Sequence, residues 1–155
     1  WVLALMCFYL SLCNALLPNE PRVLEFGREG VFPTIQPTDR AQLLKLIEAW
    51  KEQNLQRIAV ITRSQAEAVR LSKAIKGSHL LTGADDDMLP EAGGVVVAGY
   101  HLTKGLEFDA VAVVWPDVAL TDGERRRLYT ACSRALHILS LMCDEALIRD
   151  LGIVL

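Results

Sequence analysis

The sequence predicts an α/β domain built on a mainly parallel sheet. Three continuous apolar runs, 57–62, 94–98 and 110–115, lack the polar alternation of a strand with one solvated face, so each is expected to be covered on both sides. The first run leads directly into Ser64-x-x-Glu67, a capping-box pattern that opens a helix. A strand that feeds a capped helix is the repeating unit of a parallel sheet.

In addition to the strand at 57–62, two helices and two short strands are predicted in the first half of the chain. Prolines and glycines flank the segments 23–26 and 31–35, which are expected to be short strands. Thr38 is expected to cap an amphipathic helix over 39–53, because apolar residues recur there at helical spacing. The helix that follows the capping box is expected to continue to about Lys76.

The second half of the chain is expected to return to helix and then to strand. A helix is predicted over 123–136, followed by a final strand over 138–143 and a short helix near 144–150. The first of these is inferred from apolar residues that recur at intervals of three and four: Leu128, Ala131, Cys132, Ala135 and Leu139. We divide the chain into a lead-in segment, 1–37, and one domain, 38–155.

Length and charge restrict the class of protein. A chain of 155 residues fits one domain or one lobe of a larger protein. Its formal net charge is -3, whereas a domain that binds nucleic acid on its own by neutralising phosphates is usually basic. Any contact with a nucleic-acid strand must therefore come from a local basic patch or from a neighbouring domain.

No metal site is predicted. Three adjacent carboxylates at 85–87 cannot all face one metal ion from an extended chain, so we expect a solvated turn there. The cysteines and histidines show neither paired spacing nor a recognisable zinc signature, and the thiols are expected to be free in a reducing cytoplasm. These residues are Cys7, Cys13, Cys132 and Cys143, with His79, His101 and His137.

The segment 1–17 carries no charged residue, and the chain does not begin with methionine, so we expect a piece of a longer protein. An uncharged run of this length approaches a membrane span. It lacks a basic leading region, however, and Ser11, Cys13 and Asn14 interrupt its second half. We favour a buried helix with a missing neighbour, and a signal or membrane segment is the alternative.

The segment 99–109 is the first candidate for a functional site. Ligands of open α/β sheets collect at the carboxyl ends of strands, and this segment leaves such an end. It carries four candidate side chains in close succession: His101, Thr103, Lys104 and Glu107. Gly105 allows close approach of the backbone to a ligand. The alternative is a solvated connection without function.

The arginine-rich segment 125–134 is the second candidate. If the predicted helix runs through it, Arg127, Thr130 or Ala131, and Arg134 fall on one stripe beside the apolar face. Such a stripe points guanidinium groups towards whatever packs against this surface. The alternative is a solvated basic helix face.

These segments resemble sequence motifs of UvrD/Rep-like superfamily 1 helicases. Motif V, whose core reads H-x-x-KGLEF, is similar to Tyr100-His-Leu-Thr-Lys-Gly-Leu-Glu-Phe-Asp109. Motif VI, LxYVAxTRA, is similar to Leu128-Tyr-Thr-Ala-Cys-Ser-Arg-Ala135, and motif IVa resembles Ile58-Ala-Val-Ile-Thr-Arg63 with its capped helix. The resemblance covers about 57–143, and 15–37 resembles the lead-in of the HelD-like branch. It implies a RecA-like, three-layer C-terminal motor domain.

The resemblance implies a nucleotide site for ATP with Mg²⁺. Arg134 corresponds to the arginine finger of motif VI, a permanently charged planar donor that suits the charge on a departing phosphoryl group. Glu107 corresponds to the motif V glutamate that holds the ribose, and Gly105 and Lys104 lie beside the phosphates. Arg63 is a further candidate to face the same nucleotide.

The resemblance also implies contacts to single-stranded DNA, and for these His101 and Thr103 are the candidates. The chain departs from an intact helicase, because it has no GxxxxGK[ST] loop to cradle phosphates and no acidic strand for magnesium. In such helicases those elements belong to an N-terminal motor domain. The motif IV arginine also has no counterpart.

Three functions remain open from the sequence. The leading hypothesis is the C-terminal lobe of a cytoplasmic ATP-dependent DNA helicase or translocase, with single-stranded DNA and an N-terminal motor domain as partners and no membrane. The chain alone is expected to be inactive as an ATPase. One alternative is an inactive binding module that acts on a protein partner such as RNA polymerase. The other is an unrelated small α/β enzyme that uses Lys104, Glu107 and His101.

Overall fold

The computed structural model describes residues 33–84, 89–90 and 94–152, together with Leu16. The strands in these ranges are β1 Thr34–Gln36, β2 Ile58–Thr62, β3 His79–Leu80, β4 Val95–Gly99, β5 Phe108–Val114 and β6 Ala135–Met142. The helices are α1 Arg40–Glu52, α2 Gln65–Ala74, α3 Asp122–Cys132 and α4 Glu145–Asp150, with a 3-10 turn at Tyr100–Leu102. The strands form one six-stranded sheet in the order β1-β6-β5-β2-β4-β3, and each neighbouring pair is parallel.

Helices cover both faces of the sheet, as the continuous apolar runs predict. On one face, Leu43 and Ile47 of α1 and Ala68 of α2 belong to one buried cluster. On the other face, Leu128 of α3 and Leu147 of α4 belong to a second cluster. Every residue of β2 and β4 is buried between these layers. The predicted three-layer α/β fold with a parallel sheet is confirmed.

The first helix begins one residue later than predicted. Asp39, and not Thr38, takes the N-cap position of α1, and its Oδ1 accepts the Ala41 N–H at 2.9 Å. Both residue types can cap a helix, but a carboxylate also interacts favourably with the positive end of the helix dipole. The prediction that Thr38 caps this helix was therefore wrong.

The second helix is capped as predicted and ends slightly earlier. Ser64 Oγ accepts the Glu67 N–H at 3.3 Å. The helix ends at Ala74, short of the predicted Lys76. Gly77 then adopts a positive φ of 73°, a conformation that favours glycine after a helix.

The helix predicted over 123–136 ends at Cys132, and β6 begins earlier than expected, at Ala135. The prediction failed because the apolar residues after Cys132 fit a helical repeat as well as a strand. Sheet pairing decides between the two, since the Phe108 N–H donates to the Arg134 carbonyl at 2.9 Å and Ala135 lies opposite Phe108.

Several predictions concern residues outside the described ranges. These are the segment 1–17, of which only Leu16 is described, the strand at 23–26 and the turn at 85–87. The strand predicted at 31–35 overlaps β1, which pairs with β6, and the division of the chain at 37 stays a prediction. No helix in the described ranges is long and apolar enough to cross a membrane.

Asp109 ties the start of β5 to the loop that precedes β2. Its Oδ2 accepts the Gln56 N–H at 3.1 Å and the Arg57 N–H at 3.0 Å. We expect Asp109→Ala to lower the free energy of unfolding by about 1–3 kcal/mol, because two backbone donors lose a charged acceptor. Urea unfolding followed by circular dichroism measures this change. Asp117→Ala, in the exposed loop after β5, is the control, and equal stabilities would contradict the prediction.

Cys143 follows β6 and is fully buried. Burial raises the pKa of its thiol from 9.0 to about 12, with a smaller contribution from Asp144. Because the thiolate is the nucleophile, Cys143 should resist iodoacetamide at pH 8 in the native chain and react after unfolding in urea. Its neutral thiol should favour folding below pH 9.0, and this contribution should be lost as the pH rises towards about 12.

Peptide mapping by mass spectrometry follows alkylation of Cys143 separately from that of the other thiols. Native and unfolded samples of the same chain provide the comparison. If Cys143 were modified equally fast in both, burial would not protect it.

Candidate functional site

The connection between β4 and β5 runs from one edge of the sheet to the other. We call the edge at which the parallel strands end the carboxyl edge and the opposite edge the amino edge. The connection leaves the carboxyl edge as the 3-10 turn Tyr100–Leu102 and reaches the amino edge at Phe108. A strand of five residues separates the edges by roughly 17 Å. The candidates in 99–109 are therefore divided between two places, whereas the sequence led us to expect them at one strand end.

His101 lies at the carboxyl edge and is exposed. Its ring packs so closely over Gly99 that a Cβ added there would lie 2.8 Å from the ring Cε1. It also meets the Tyr100 ring edge-on, with centroids 5.7 Å apart. The Gly99 N–H in turn donates to Gln65 Oε1 at 3.0 Å. The imidazole is thus positioned by its neighbours while it remains accessible to a ligand.

Thr103 does not match its predicted role as a nucleic-acid contact. The residue is fully buried, and its hydroxyl donates to the Tyr100 carbonyl at 2.7 Å. It therefore closes the 3-10 turn from inside, and in this conformation it presents no group to a DNA strand. Sequence could not show this, because the match to motif V says nothing about the direction of the side chain.

Lys104, Gly105 and Glu107 lie on the connection between the 3-10 turn and the start of β5. All three are exposed, and neither charged side chain is paired with another described residue. Gly105 has a φ of 79°, and an added Cβ would meet nothing within 4 Å. Backbone conformation, and not crowding, therefore favours glycine at this position.

Arg134 also lies at the amino edge, just past the end of α3 and not on the helical stripe predicted for it. Its Nε donates to the Thr130 carbonyl at 3.1 Å, and its Nη2 donates to Ser133 Oγ at 3.2 Å. A guanidinium is favourable beside the negative end of a helix dipole. The remaining donors of Arg134 are free to meet an anion, because the side chain is only partly buried.

The backbone brings Glu107 and Arg134 to neighbouring positions. Phe108 and Ala135 lie opposite each other at the start of β5 and β6, and the Phe108 N–H donates to the Arg134 carbonyl at 2.9 Å. The residues that immediately precede the two strands therefore share one place on the amino edge. The side chains of Glu107 and Arg134, from two different motifs, therefore start from neighbouring backbone positions.

Arg63 lies at the opposite, carboxyl edge, directly after β2. Its Nε and Nη2 donate to Glu124 Oε2 at 3.0 Å and Oε1 at 2.7 Å. Arg127 Nη1 donates to Glu124 Oε1 at 2.6 Å. The Glu124 side chain is 7% exposed, whereas those of Arg63 and Arg127 are 37% and 45% exposed. Arg63 and Arg134, which were predicted to serve one nucleotide, are therefore not brought together.

Two comparisons assign the family. The sequence model of the UvrD-like helicase C-terminal domain matches residues 94–142, which include both candidate motifs. A solved structure, the C-terminal domain of a possible DNA helicase from Lactobacillus plantarum WCFS1, is 30% identical and superposes with a TM-score of 0.65. The match covers 86% of this chain and 81% of that chain. This chain belongs to the UvrD-like helicase C-terminal domains. No curated protein matches it significantly.

Sequence reasoning missed Glu124, the charged centre of the carboxyl edge in this UvrD-like domain. The bonds from Arg63, and then those from Arg127, hold the pKa of its carboxyl below the ordinary value of 4.5, against the opposing effect of burial. Glu124 in turn raises the pKa of Arg63 and of Arg127, and a hydrogen bond to Tyr100 raises that of Arg127 further. Thr121-x-x-Glu124 is a capping-box pattern, but this pattern predicts only the start of a helix and not the contacts of Glu124 with the two arginines.

The geometry of this helicase domain does not support a small enzyme built on Lys104, Glu107 and His101. His101 belongs to the turn that follows β4, and Glu107 immediately precedes β5. The two residues lie at opposite edges of the sheet, so they cannot act on one substrate atom. In the described part of the chain no group of three or more His, Cys, Asp or Glu residues could hold a metal ion.

Proposed function

We propose that this domain is the C-terminal motor lobe of an ATP-dependent DNA helicase or translocase. The observation that supports the proposal is the shared position of Glu107 and Arg134 at the amino edge, fixed by the 2.9 Å bond between the Phe108 N–H and the Arg134 carbonyl. In this lobe Arg134 supplies positive charge to the γ-phosphate of ATP, and Glu107 accepts hydrogen bonds from the ribose. An N-terminal motor domain supplies the phosphate-binding loop and the ligands of Mg²⁺.

The exposed residues of the connection, together with Arg134 at the amino edge, suit a nucleoside triphosphate. Lys104 and Arg134 offer cations to the phosphates, and Glu107 is an exposed carboxylate without a partner among the described residues. Gly105 leaves the backbone open, since no atom lies within 4 Å of an added Cβ. When bound, ATP with Mg²⁺ supplies the phosphoryl group whose hydrolysis drives the motor. The role of this chain is to stabilise the negative charge on the phosphoryl group and to orient the nucleotide.

The single strand is proposed to follow the carboxyl edge, where His101 is held by Gly99 and Tyr100 and remains exposed. An imidazole can stack against a base or donate to a phosphate. Nucleotide and strand would thus occupy opposite edges of one sheet, joined by the connection from Tyr100 to Glu107. Movement of this connection upon ATP binding can transmit force to the strand. No observation favours RNA polymerase as a partner, and we do not propose it.

The experiment that tests this function compares ATP hydrolysis by the chain alone with hydrolysis by a fusion to an N-terminal motor domain that carries the phosphate-binding loop. We expect turnover only by the fusion, stimulated by single-stranded DNA, because this lobe contributes only part of the site. Clear turnover by the chain alone, abolished by Arg134→Ala, would contradict the proposal. A fusion that binds ATP and does not hydrolyse it would contradict it as well.

A further inference from the structure

Ser133 follows α3 and joins the Arg134 side chain to the end of that helix. Its hydroxyl donates to the Thr130 carbonyl at 3.0 Å and accepts from Arg134 Nη2 at 3.2 Å. Arg134 Nε donates to the same carbonyl at 3.1 Å. A serine hydroxyl has one proton to donate and lone pairs to accept with, so both capacities are used here. The three groups therefore form a closed ring of hydrogen bonds around one edge of the guanidinium.

The end of α3 supplies an acceptor that the backbone does not use. If the helix continued, the Arg134 N–H would donate to the Thr130 carbonyl, but it donates to the Ala131 carbonyl at 3.3 Å instead. Carbonyls in the last turn of a helix lack backbone partners, and one donor is enough to satisfy such a group. The Thr130 carbonyl receives two. The bond from Arg134 Nη2 to Ser133 Oγ satisfies no backbone group, so its effect is on the orientation of the guanidinium.

The ring occupies one edge of the guanidinium and leaves another edge open. A guanidinium has about five N–H donors in a rigid plane, of which Nε–H and one N–H of Nη2 are used. Among the described residues, no acceptor meets Nη1. The side chain is only partly buried, so the Nη1–Nη2 edge can bind a ligand. Two parallel donors on one edge suit two oxygens of a phosphate.

The backbone of Arg134 is fixed independently of its side chain. Its carbonyl accepts the Phe108 N–H at 2.9 Å, and the next residue, Ala135, lies opposite Phe108 in the sheet. A long arginine side chain still has considerable rotamer freedom beyond a fixed backbone. Ser133 limits this freedom before any nucleotide arrives. A charge that is already oriented stabilises a transition state without reorganisation during the reaction.

We propose that Ser133 is a positioning residue for ATP hydrolysis, which holds the Nε–Nη2 edge of Arg134 so that the Nη1–Nη2 edge is presented to the γ-phosphate. Ser133 touches no reacting atom and acts through Arg134. The proposal rests on the proposed function, since it requires Arg134 to bind the γ-phosphate. It adds that a neutral hydroxyl outside the nucleotide contacts controls how well this arginine performs.

Nitrogen-15 NMR of the 155-residue chain tests the orientation of Arg134 without any nucleotide. The Arg134 Nε–H signal is assigned as the one that is missing in Arg134→Lys, and its exchange with water reports how firmly this edge is held. We expect Ser133→Ala to speed this exchange about 3- to 10-fold, because one of the two bonds that hold the edge is lost. Ser133→Thr keeps the hydroxyl and should restore slow exchange.

Steady-state kinetics of the fusion to an N-terminal motor domain tests the consequence for ATP hydrolysis. We expect Ser133→Ala to lower kcat about 3- to 10-fold and to leave KM for ATP nearly unchanged, because the guanidinium is displaced mainly from the transition state. Ser133→Thr should restore kcat. A variant that merely loosened the fold would not show this division between kcat and KM together with rescue by threonine.

Ser72→Ala is the matched control. Ser72 is also partly buried, and its Oγ donates to the Val69 carbonyl, three residues earlier on α2, at 2.8 Å. The substitution therefore removes the same kind of hydroxyl from a helix far from Arg134 in the sequence. It should change neither kcat nor the exchange of the Arg134 Nε–H. Thermal unfolding verifies that each variant is folded.

Three results would overturn the role of Ser133. The first is unchanged exchange of the Arg134 Nε–H in Ser133→Ala, the second is an equal loss of kcat in Ser133→Ala and Ser72→Ala, and the third is failure of Ser133→Thr to restore both quantities. Failure of the motor function is recognised separately. A fusion that does not hydrolyse ATP, or one that stays fully active as Arg134→Ala, contradicts the motor function and the catalytic role of Ser133 even if the exchange data show an oriented guanidinium.

Discussion

Alanine in place of Arg134 should lower kcat for ATP hydrolysis about 10³- to 10⁵-fold in a fusion of this domain to an N-terminal motor domain. The guanidinium lies beyond the end of α3, held by the Thr130 carbonyl at 3.1 Å and by Ser133 Oγ at 3.2 Å. This support leaves other N–H donors of a permanently charged group for the γ-phosphate. Negative charge that develops there in the transition state would lose its main counter-charge from this lobe.

Steady-state kinetics with saturating single-stranded DNA measures this effect as kcat and KM for ATP. We expect the loss mainly in kcat, because an arginine finger binds the transition state better than bound ATP. Arg126→Ala, an exposed arginine on the same helix, should leave kcat nearly unchanged. Arg134→Lys should also be slow, since an ammonium lacks the planar donor pair. If kcat of Arg134→Ala fell less than about tenfold, Arg134 would not be the finger.

The fold could be predicted because the strand sequences themselves indicate that both faces of the sheet are buried. The runs that became β2, β4 and β5 contain almost no polar residue, and only a sheet covered by two helical layers accommodates such strands. The resemblance of the motifs then indicated that Glu107 and Arg134 act together. The backbone places the two residues at neighbouring positions, because each precedes one of two paired strands.

The site could be predicted only in part, because side-chain direction and strand register are properties of packing. Thr103 lies between the exposed residues His101 and Lys104 in its motif, yet its hydroxyl turns inward to close a turn. The sequence made Arg63 a candidate for the nucleotide site. The sheet, however, places Arg63 at the opposite edge from Arg134. Glu124 meets Arg63 across 61 positions of chain, and no local pattern encodes a contact over that separation.

Arg63, Glu124 and Arg127 form a hydrogen-bonded cluster at the carboxyl edge that contributes to the stability of the fold. Substitution of Glu124 measures this contribution. We expect Glu124→Ala to lower the free energy of unfolding at pH 7 by about 2–3 kcal/mol. Three hydrogen bonds to a charged acceptor are lost. The loss is moderated because Arg63 and Arg127 are partly exposed and regain water. Asp122→Ala, an exposed acidic residue in the same first turn of α3, is the matched control and should cost much less.

The contribution of Glu124 to the free energy of unfolding should disappear in acid. The direction of this pH dependence follows from the pKa of Glu124. The pKa is lower in the folded chain than its ordinary value of 4.5, so the folded state binds the proton less readily than the unfolded state. The stabilisation is therefore complete above pH 4.5 and is lost as the pH falls through the lowered folded value. Urea unfolding of Glu124→Ala and of the unsubstituted chain, repeated from pH 7 to pH 3, should show the difference in stability shrink in acid. A difference that stayed constant over this range would show that the ionised carboxylate does not hold the two arginines.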